Sequence, residues 1–284
     1  MNFIAKQSSY LLAFLANSNI FIALCALALS GQTLILSGIQ ISFHPYWVTL
    51  FCATLLVYNY NGAYLFKENI PSKIRGKFGR VLLGVLLVGC IVGGTISAFY
   101  LSLKTLLLMV PLGILSLAYY VPLLKKKNIK KSLKQLVGLK VFLIAFVWAA
   151  ATVIIPHIEF STEPLNAQVG WLFMERLLFI FALAMPFDIR DMQNDTTWDV
   201  RTYPVVFGVE KTKRIAVIIM SLHLLTIMIS PFAYSPQLIF GFIIIGLASI
   251  TVIEQASPQR SLFFFTYAND GMMFWQSVLV FILL

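Results

Sequence analysis

Asp188-Ile189-Arg190-Asp191-Met192-Gln193-Asn194-Asp195-Thr196-Thr197-Trp198-Asp199 places four carboxylates within twelve residues of a chain that has only 11 acids. It follows directly on the apolar run 171–187. At about 100° per residue, positions i, i+3, i+7 and i+11 of a helix lie near one meridian. Asp188, Asp191, Asp195 and Asp199 would then share a face, with Arg190 and Asn194 directed elsewhere. Like charges on one face repel unless a cation is held there. Hard divalent cations take oxygen ligands, and Mg²⁺ is typically shared between one or two carboxylates and substrate phosphates. The segment is therefore a candidate metal–diphosphate site at the end of a membrane helix.

The rest of the chain supplies the membrane. It is 60% hydrophobic and 11% charged, with mean hydropathy +0.88, against about 25% charged residues in a soluble domain. Nine apolar runs of span length are expected, at about 20–38, 45–64, 80–100, 104–121, 136–155, 171–187, 215–233, 236–253 and 269–284. Continuous apolar runs select helices, because a lipid-exposed backbone must satisfy its own polar groups. The fold class expected is an all-α polytopic bundle, with residues 1–284 as one integral membrane domain and 1–16 as an interfacial N-terminal segment. The N-terminal stretch does not read as a cleaved signal.

The basic residues orient this bundle. Of 21 lysines and arginines, all but Lys104 and Arg176 fall on the side of the N-terminus and the even-numbered loops. The positive-inside rule makes that side cytoplasmic, and with it the aspartate segment and a polar cavity. The expected location is a plasma or inner membrane, in contact with anionic lipid head groups. Cys25, Cys52 and Cys90 are scattered and read as small buried hydrophobes. The glycines at 84, 89, 93 and 94 read as positions of close helix approach. Glu175 and Arg176 read as a local interfacial pair, Asp270 as a helix cap, and the three histidines as isolated. No nucleic-acid motif or phosphate-binding glycine loop is present, and no protein partner is evident.

Two stretches carry a family resemblance. Asp188-x2-Asp191-x3-Asp195 followed by Arg201-Thr202-Tyr203-Pro204-Val205-Val206-Phe207-Gly208 resembles the second aspartate motif of the UbiA superfamily of intramembrane prenyltransferases. Tyr119-Tyr120-Val121-Pro122-Leu123-Leu124-Lys125, with Lys134-Gln135 and Gly138, is similar to that family's Tyr-x-Pro-x-x-Lys region. The resemblance implies nine helices around a cytoplasm-facing cavity, a prenyl diphosphate and a lipophilic or aromatic acceptor as substrates, and Mg²⁺ as cofactor. Carried onto this chain, it makes Asp188, Asp191 and Asp195 the metal-binding and catalytic residues. Asn59, Asn61, Lys67, Tyr120, Lys125, Arg190 and Asp199 would contact substrate.

One departure matters. The family's first aspartate motif closes span two, where this chain reads Asn59-Tyr60-Asn61-Gly62-Ala63-Tyr64-Leu65-Phe66-Lys67-Glu68-Asn69. Neither Asn59 nor Asn61 as anchor brings a carboxylate into register, so half of the expected metal clamp is missing. Three readings remain open on sequence: an active prenyltransferase with a modified site, a relative that binds a prenyl lipid without turnover, and a transport or scaffold role on the same fold.

Overall fold

A computed structural model describes residues 11–65, 77–120, 137–197, 200–232 and 234–284, apart from the side chains of 61–65, 77–78, 80 and 118–120. Within these residues all regular structure is helical. A short α1 (Leu11–Asn17) bends by 75° into α2 (Ile20–Leu36). Then follow α3 (Pro45–Leu65), α4 (Lys77–Ala98), α5 (Leu103–Tyr120), α6 (Leu139–Phe160), α7 (Ala167–Thr197), a short α8 (Tyr203–Phe207), α9 (Val209–Met228), α10 (Pro236–Glu254) and α11 (Gly271–Leu283). A helix stands at each of the nine apolar runs. By length and composition, α4, α6 and α10 are able to cross a membrane singly, and α1 with α2 as a bent pair.

The helices close a ring. α2 packs on α3, α3 on α5, α5 on α6, α6 on α7, α7 on α9, α9 on α10, α10 on α11, and α11 back on α2, while α4 lies outside against α3. The burial pattern suits a lipid solvent. Val81, Val85, Val88, Val92 and Ile96 form an exposed apolar stripe down α4 at helical spacing, where a soluble helix would be polar. Polar side chains such as Gln32, Arg176, His223 and Gln276 are buried inside instead. Phe179, Leu183, Met185, Leu29 and Met220 pack around them.

Two π-helical turns interrupt the ladder, Ala150–Ile154 within α6 and Phe264–Asn269 ahead of α11. The first presents carbonyls to its neighbours. The Thr33 hydroxyl donates to the Thr152 carbonyl at 2.7 Å, and the Tyr46 hydroxyl to the Ala151 carbonyl at 3.2 Å. A displaced backbone acceptor in an apolar interior is thus satisfied by side chains from α2 and α3.

The glycine expectation on α4 holds at one position. A Cβ on Gly94 would lie 2.9 Å from Cys52 Cβ, whereas Gly84, Gly89 and Gly93 have no neighbour within 4 Å. The close approaches on the other side of the ring, Gly241 on Leu279 and Gly246 on Leu224, depend on which helices become neighbours. The three cysteines are buried and free.

Candidate functional site

Thirty-one residues give α7 a length of about 46 Å, longer than the ~30 Å hydrocarbon layer. Its last turns, from Asp188 onward, extend past the apolar run. Pro186 lies inside the helix and removes one amide donor just before Asp188. Asp188, Asp191 and Asp195 all fall on this extension. α7 ends at Thr197, and Asp199 lies outside the described residues.

The partner of the aspartates comes from α6. Lys140, in the first turn of that helix, places Nζ 2.9 Å from Asp188 Oδ1 and 3.4 Å from Asp195 Oδ2. Asp188 is only 1% exposed, and its second oxygen, Oδ2, is buried without a hydrogen-bond partner among the described residues. Burial pushes the Asp188 carboxyl up to about 6, with Lys140 pulling it down and the charges of Asp195 and Asp191 adding to the rise. Burial also raises Asp195, again opposed by Lys140.

The start of α6 is fixed by its cap. Gly138 caps it at φ +86°, in the left-handed region that glycine adopts without a Cβ penalty. A Cβ there would also lie 2.5 Å from the Tyr203 hydroxyl. The two stretches of sequence that carry the family resemblance therefore meet here: Gly138 from one, with Lys140 two residues beyond it, and Asp188, Asp195 and Tyr203 from the other.

Arg190 does not point away from the aspartates. Its Nε donates to Asp191 Oδ1 at 2.7 Å and its Nη2 to Asp191 Oδ2 at 3.0 Å. Neighbouring helical residues diverge at Cβ, so the pairing requires the long arginine stem to fold back. Its guanidinium lies 4.8 Å from the centre of the Phe187 ring and 5.3 Å from that of Phe265, a cation–π geometry. Asp270 makes no side-chain capping bond at α11, contrary to the cap expectation. It is buried and lies within the field of Arg190, which brings a fourth carboxylate toward this end. Asn269 beside it donates to the Leu183 carbonyl at 2.8 Å.

Asn59 has a different employment from the one expected. Both amide hydrogens are committed to backbone carbonyls, of Ser18 and Leu55, at 2.9 Å each, and Oδ1 accepts from Asn19 at 3.3 Å. Ser18 and Asn19 form the bend between α1 and α2, with Asn19 at φ +61°. Asn59 pins that bend. Lys67 and Lys125 lie outside the described residues, as do the side chains of Asn61 and Tyr120 in α3 and α5.

The donor chemistry suits a hard cation: carboxylate oxygens on one helix face, with Asp188 Oδ2 unpartnered. Among the described residues, however, no three acidic, histidine or cysteine side chains come together as a ready metal cage; Lys140 bridges Asp188 and Asp195, and Arg190 takes both oxygens of Asp191.

A small apolar cleft of about 40 Å³ lies between α3, α5 and α6, lined among others by Tyr58, Ser116, Ile144, Val147 and Trp148. The Trp148 indole donates to the Tyr58 hydroxyl at 2.9 Å. Along α6 the lining residues 143, 144, 147 and 148 stand at i+3, i+4, i+7 and i+8 from Lys140, on its own helix face. The sequence offered no signal for this cleft, since its wall is assembled from three helices.

No curated protein matches the chain. A solved structure matches with TM-score 0.57 at 15% identity, covering 96% of this chain and 98% of the other. It is described as giving structural and mechanistic insights into the biosynthesis of digeranylgeranylglyceryl phosphate synthase in membranes. At that identity the likeness is one of fold. The UbiA prenyltransferase family matches residues 72–278, a stretch that begins just past the departed motif at 59–69, and the chain belongs to that family of membrane proteins.

Proposed function

We propose that the protein is a prenyltransferase that moves a prenyl group from a prenyl diphosphate to a lipophilic or aromatic acceptor, with Mg²⁺ as cofactor. The observation that carries this is the single face of α6. Lys140 stands at its head among the aspartates, and the apolar cleft runs along the same stripe below it. That arrangement is polar at one end and apolar along its length, as a prenyl diphosphate is.

In this reading the bundle spans the membrane nine times, with the N-terminus, the basic loops and the aspartates on the cytoplasmic side. Asp188, Asp191 and Asp195 would hold Mg²⁺ through carboxylate oxygens, Asp188 Oδ2 being the first without a competing partner. Bound there with the diphosphate, Mg²⁺ would supply positive charge against the departing group. Lys140 and Arg190 would turn from their carboxylates toward diphosphate oxygens, and the preorganised positive charge would lower the barrier to leaving. The cleft would hold the first isoprene units away from water, with the Tyr58 and Trp148 rings able to face a carbocation-like centre at about 0.5–2 kcal/mol each.

The test is diphosphate release by the purified protein from a prenyl diphosphate. It is expected to require Mg²⁺ and to be abolished by Asp191→Ala. Turnover that persists both in EDTA and in the variant rules out the metal role. A second reading, binding of a prenyl lipid without turnover, is favoured by the missing carboxylates at 59–69 and by the pairing of Lys140 and Arg190 with the remaining ones. It predicts Mg²⁺-dependent binding of the prenyl diphosphate with no product. Detection of any prenylated acceptor by mass spectrometry eliminates it.

A further inference from the structure

A second polar cluster lies on α7, in the half of the bundle away from the aspartates. Glu175, Arg176 and His223 are 6%, 5% and 2% exposed. Glu175 and Arg176 do not close on each other. Glu175 Oε2 accepts from the Tyr234 hydroxyl at 3.0 Å. Arg176 Nη2 donates to Gln32 Oε1 at 3.2 Å and reaches the Thr33 hydroxyl at 3.5 Å. Ser277 donates to the same Gln32 oxygen at 3.2 Å, so α2, α7, α9 and α11 all contribute. The interfacial pair expected from sequence is thus a node shared by four helices.

Each of the three groups keeps one buried atom without a partner among the described residues: Glu175 Oε1, Arg176 Nη1 and His223 Nδ1. All three residues line one small cavity, together with Gln32, Gln276 and apolar side chains. Its size suits a molecule no larger than about one water. Gln276 Nε2 lies 3.4 Å from His223 Nε2. When that amide donates, the neutral ring carries its proton on Nδ1. The lining then offers two donor side chains, Arg176 and His223, and one acceptor, Glu175.

We propose that this cavity is a binding site for one water molecule, which accepts from Arg176 and His223, donates to Glu175, and makes the two charged residues a water-separated ion pair. Water alone matches the set: two lone pairs for the two donors and a hydrogen for the carboxylate. An anion would meet the carboxylate, a cation would meet the guanidinium, and a lipid head group exceeds the space. The cluster lies about 18 Å along α7 from Asp188, so the site is separate from the prenyl diphosphate reading and does not rest on it.

A cryo-EM map sharp enough to show ordered water tests the site directly. One rounded peak is expected within hydrogen-bond distance of all three atoms. An empty cavity, or elongated density continuous with a lipid, overturns the proposal. Thermal unfolding in detergent tests the coupling. Glu175→Gln and Arg176→Gln are each expected to lower the midpoint by roughly 5–15 °C, because each strands the opposite buried charge. The neutral double variant is expected to recover at least half of the larger loss. A double variant as low as the sum of the two singles overturns the water-separated pair.

Discussion

At Glu175 and Arg176, α7 is enclosed by α2, α9 and α11, and one carboxylate is balanced by one guanidinium. Twelve residues later, at Asp188, the same helix has left the apolar layer, and carboxylates outnumber the cations drawn from α6 and α7 themselves. The first cluster is neutral and needs only a small dipole to be satisfied. Among the described residues the second sets three carboxylates against Lys140 and Arg190 in a partly buried place, where a further cation would be favoured. One helix thus uses the same residue types for a buried polar node at one end and, in the proposed function, for ligand capture at the other.

The sharpest way to break this contrast is at Asp188. Asp188→Asn keeps the shape and removes the charge that Lys140 and a metal would share. It is expected to lower turnover by about 10²–10³-fold, the scale for loss of one preorganised electrostatic contact, while Glu175→Gln shifts stability. If Asp188→Asn loses only stability and Glu175→Gln loses the chemistry, the two ends have been assigned the wrong way round.

Lys140 distinguishes a structural from a substrate-binding cation. Lys140→Met is expected to raise the KM for prenyl diphosphate by roughly 10–100-fold, since a charge-assisted contact to phosphate is worth about 1.5–3 kcal/mol. Lys140→Arg should recover part of it. A change confined to the unfolding midpoint would make Lys140 a strut between α6 and α7 and nothing more.

How much of this contrast was legible in the sequence depends on the range of the physics involved. Nine helices stand where apolar runs predict them, because hydropathy and the 3.6-residue repeat are local properties. The aspartate face was readable for the same reason as far as Asp195, Asp199 lying outside the described residues, and Gly138 and Tyr203 carried the family pattern. Lys140 read only as a topology lysine, because its pairing depends on α6 packing beside α7. Arg190 was assigned the wrong direction, since its stem folds back on the next residue. Glu175 and Arg176 read as a local pair because adjacent opposite charges suggest one. Their real partners, Tyr234, Gln32 and Thr33, are 59, 144 and 143 residues away in sequence. Asn59 matched a motif position yet holds a bend, a role visible only once Ser18 and Asn19 are placed beside it.

The joint between the two family stretches can be stressed separately. Gly138→Ala forces a Cβ into a left-handed backbone and onto the Tyr203 hydroxyl. The backbone term alone is roughly 1–2 kcal/mol, about 5–30-fold in the folding equilibrium. The unfolding midpoint should fall accordingly. A partial recovery is expected in Gly138→Ala/Tyr203→Phe, which frees the space of the hydroxyl. An unshifted midpoint in the single variant would mean that α6 does not begin at this cap.

The smallest expected effect concerns pH, and its sign follows from which form of Asp188 each state needs. Burial holds the metal-free carboxyl at about 6, with Lys140 opposing the rise, so below that pH the side chain carries a proton. A metal ligand must be the carboxylate. Binding of Mg²⁺ with a prenyl diphosphate therefore displaces one proton from Asp188 at low pH and none above it, in addition to any the terminal phosphate releases. The apparent affinity is expected to be flat from about pH 7 to 8 and to fall about tenfold per unit once the pH is well below 6. Asp188→Asn should remove that slope along with most of the affinity, whereas Glu175→Gln should leave the slope in place. A slope that survives Asp188→Asn undiminished would assign the proton to Asp195, which burial also raises, or to the terminal phosphate, whose second ionisation lies at about 6; Asp195→Asn in the same background separates the two.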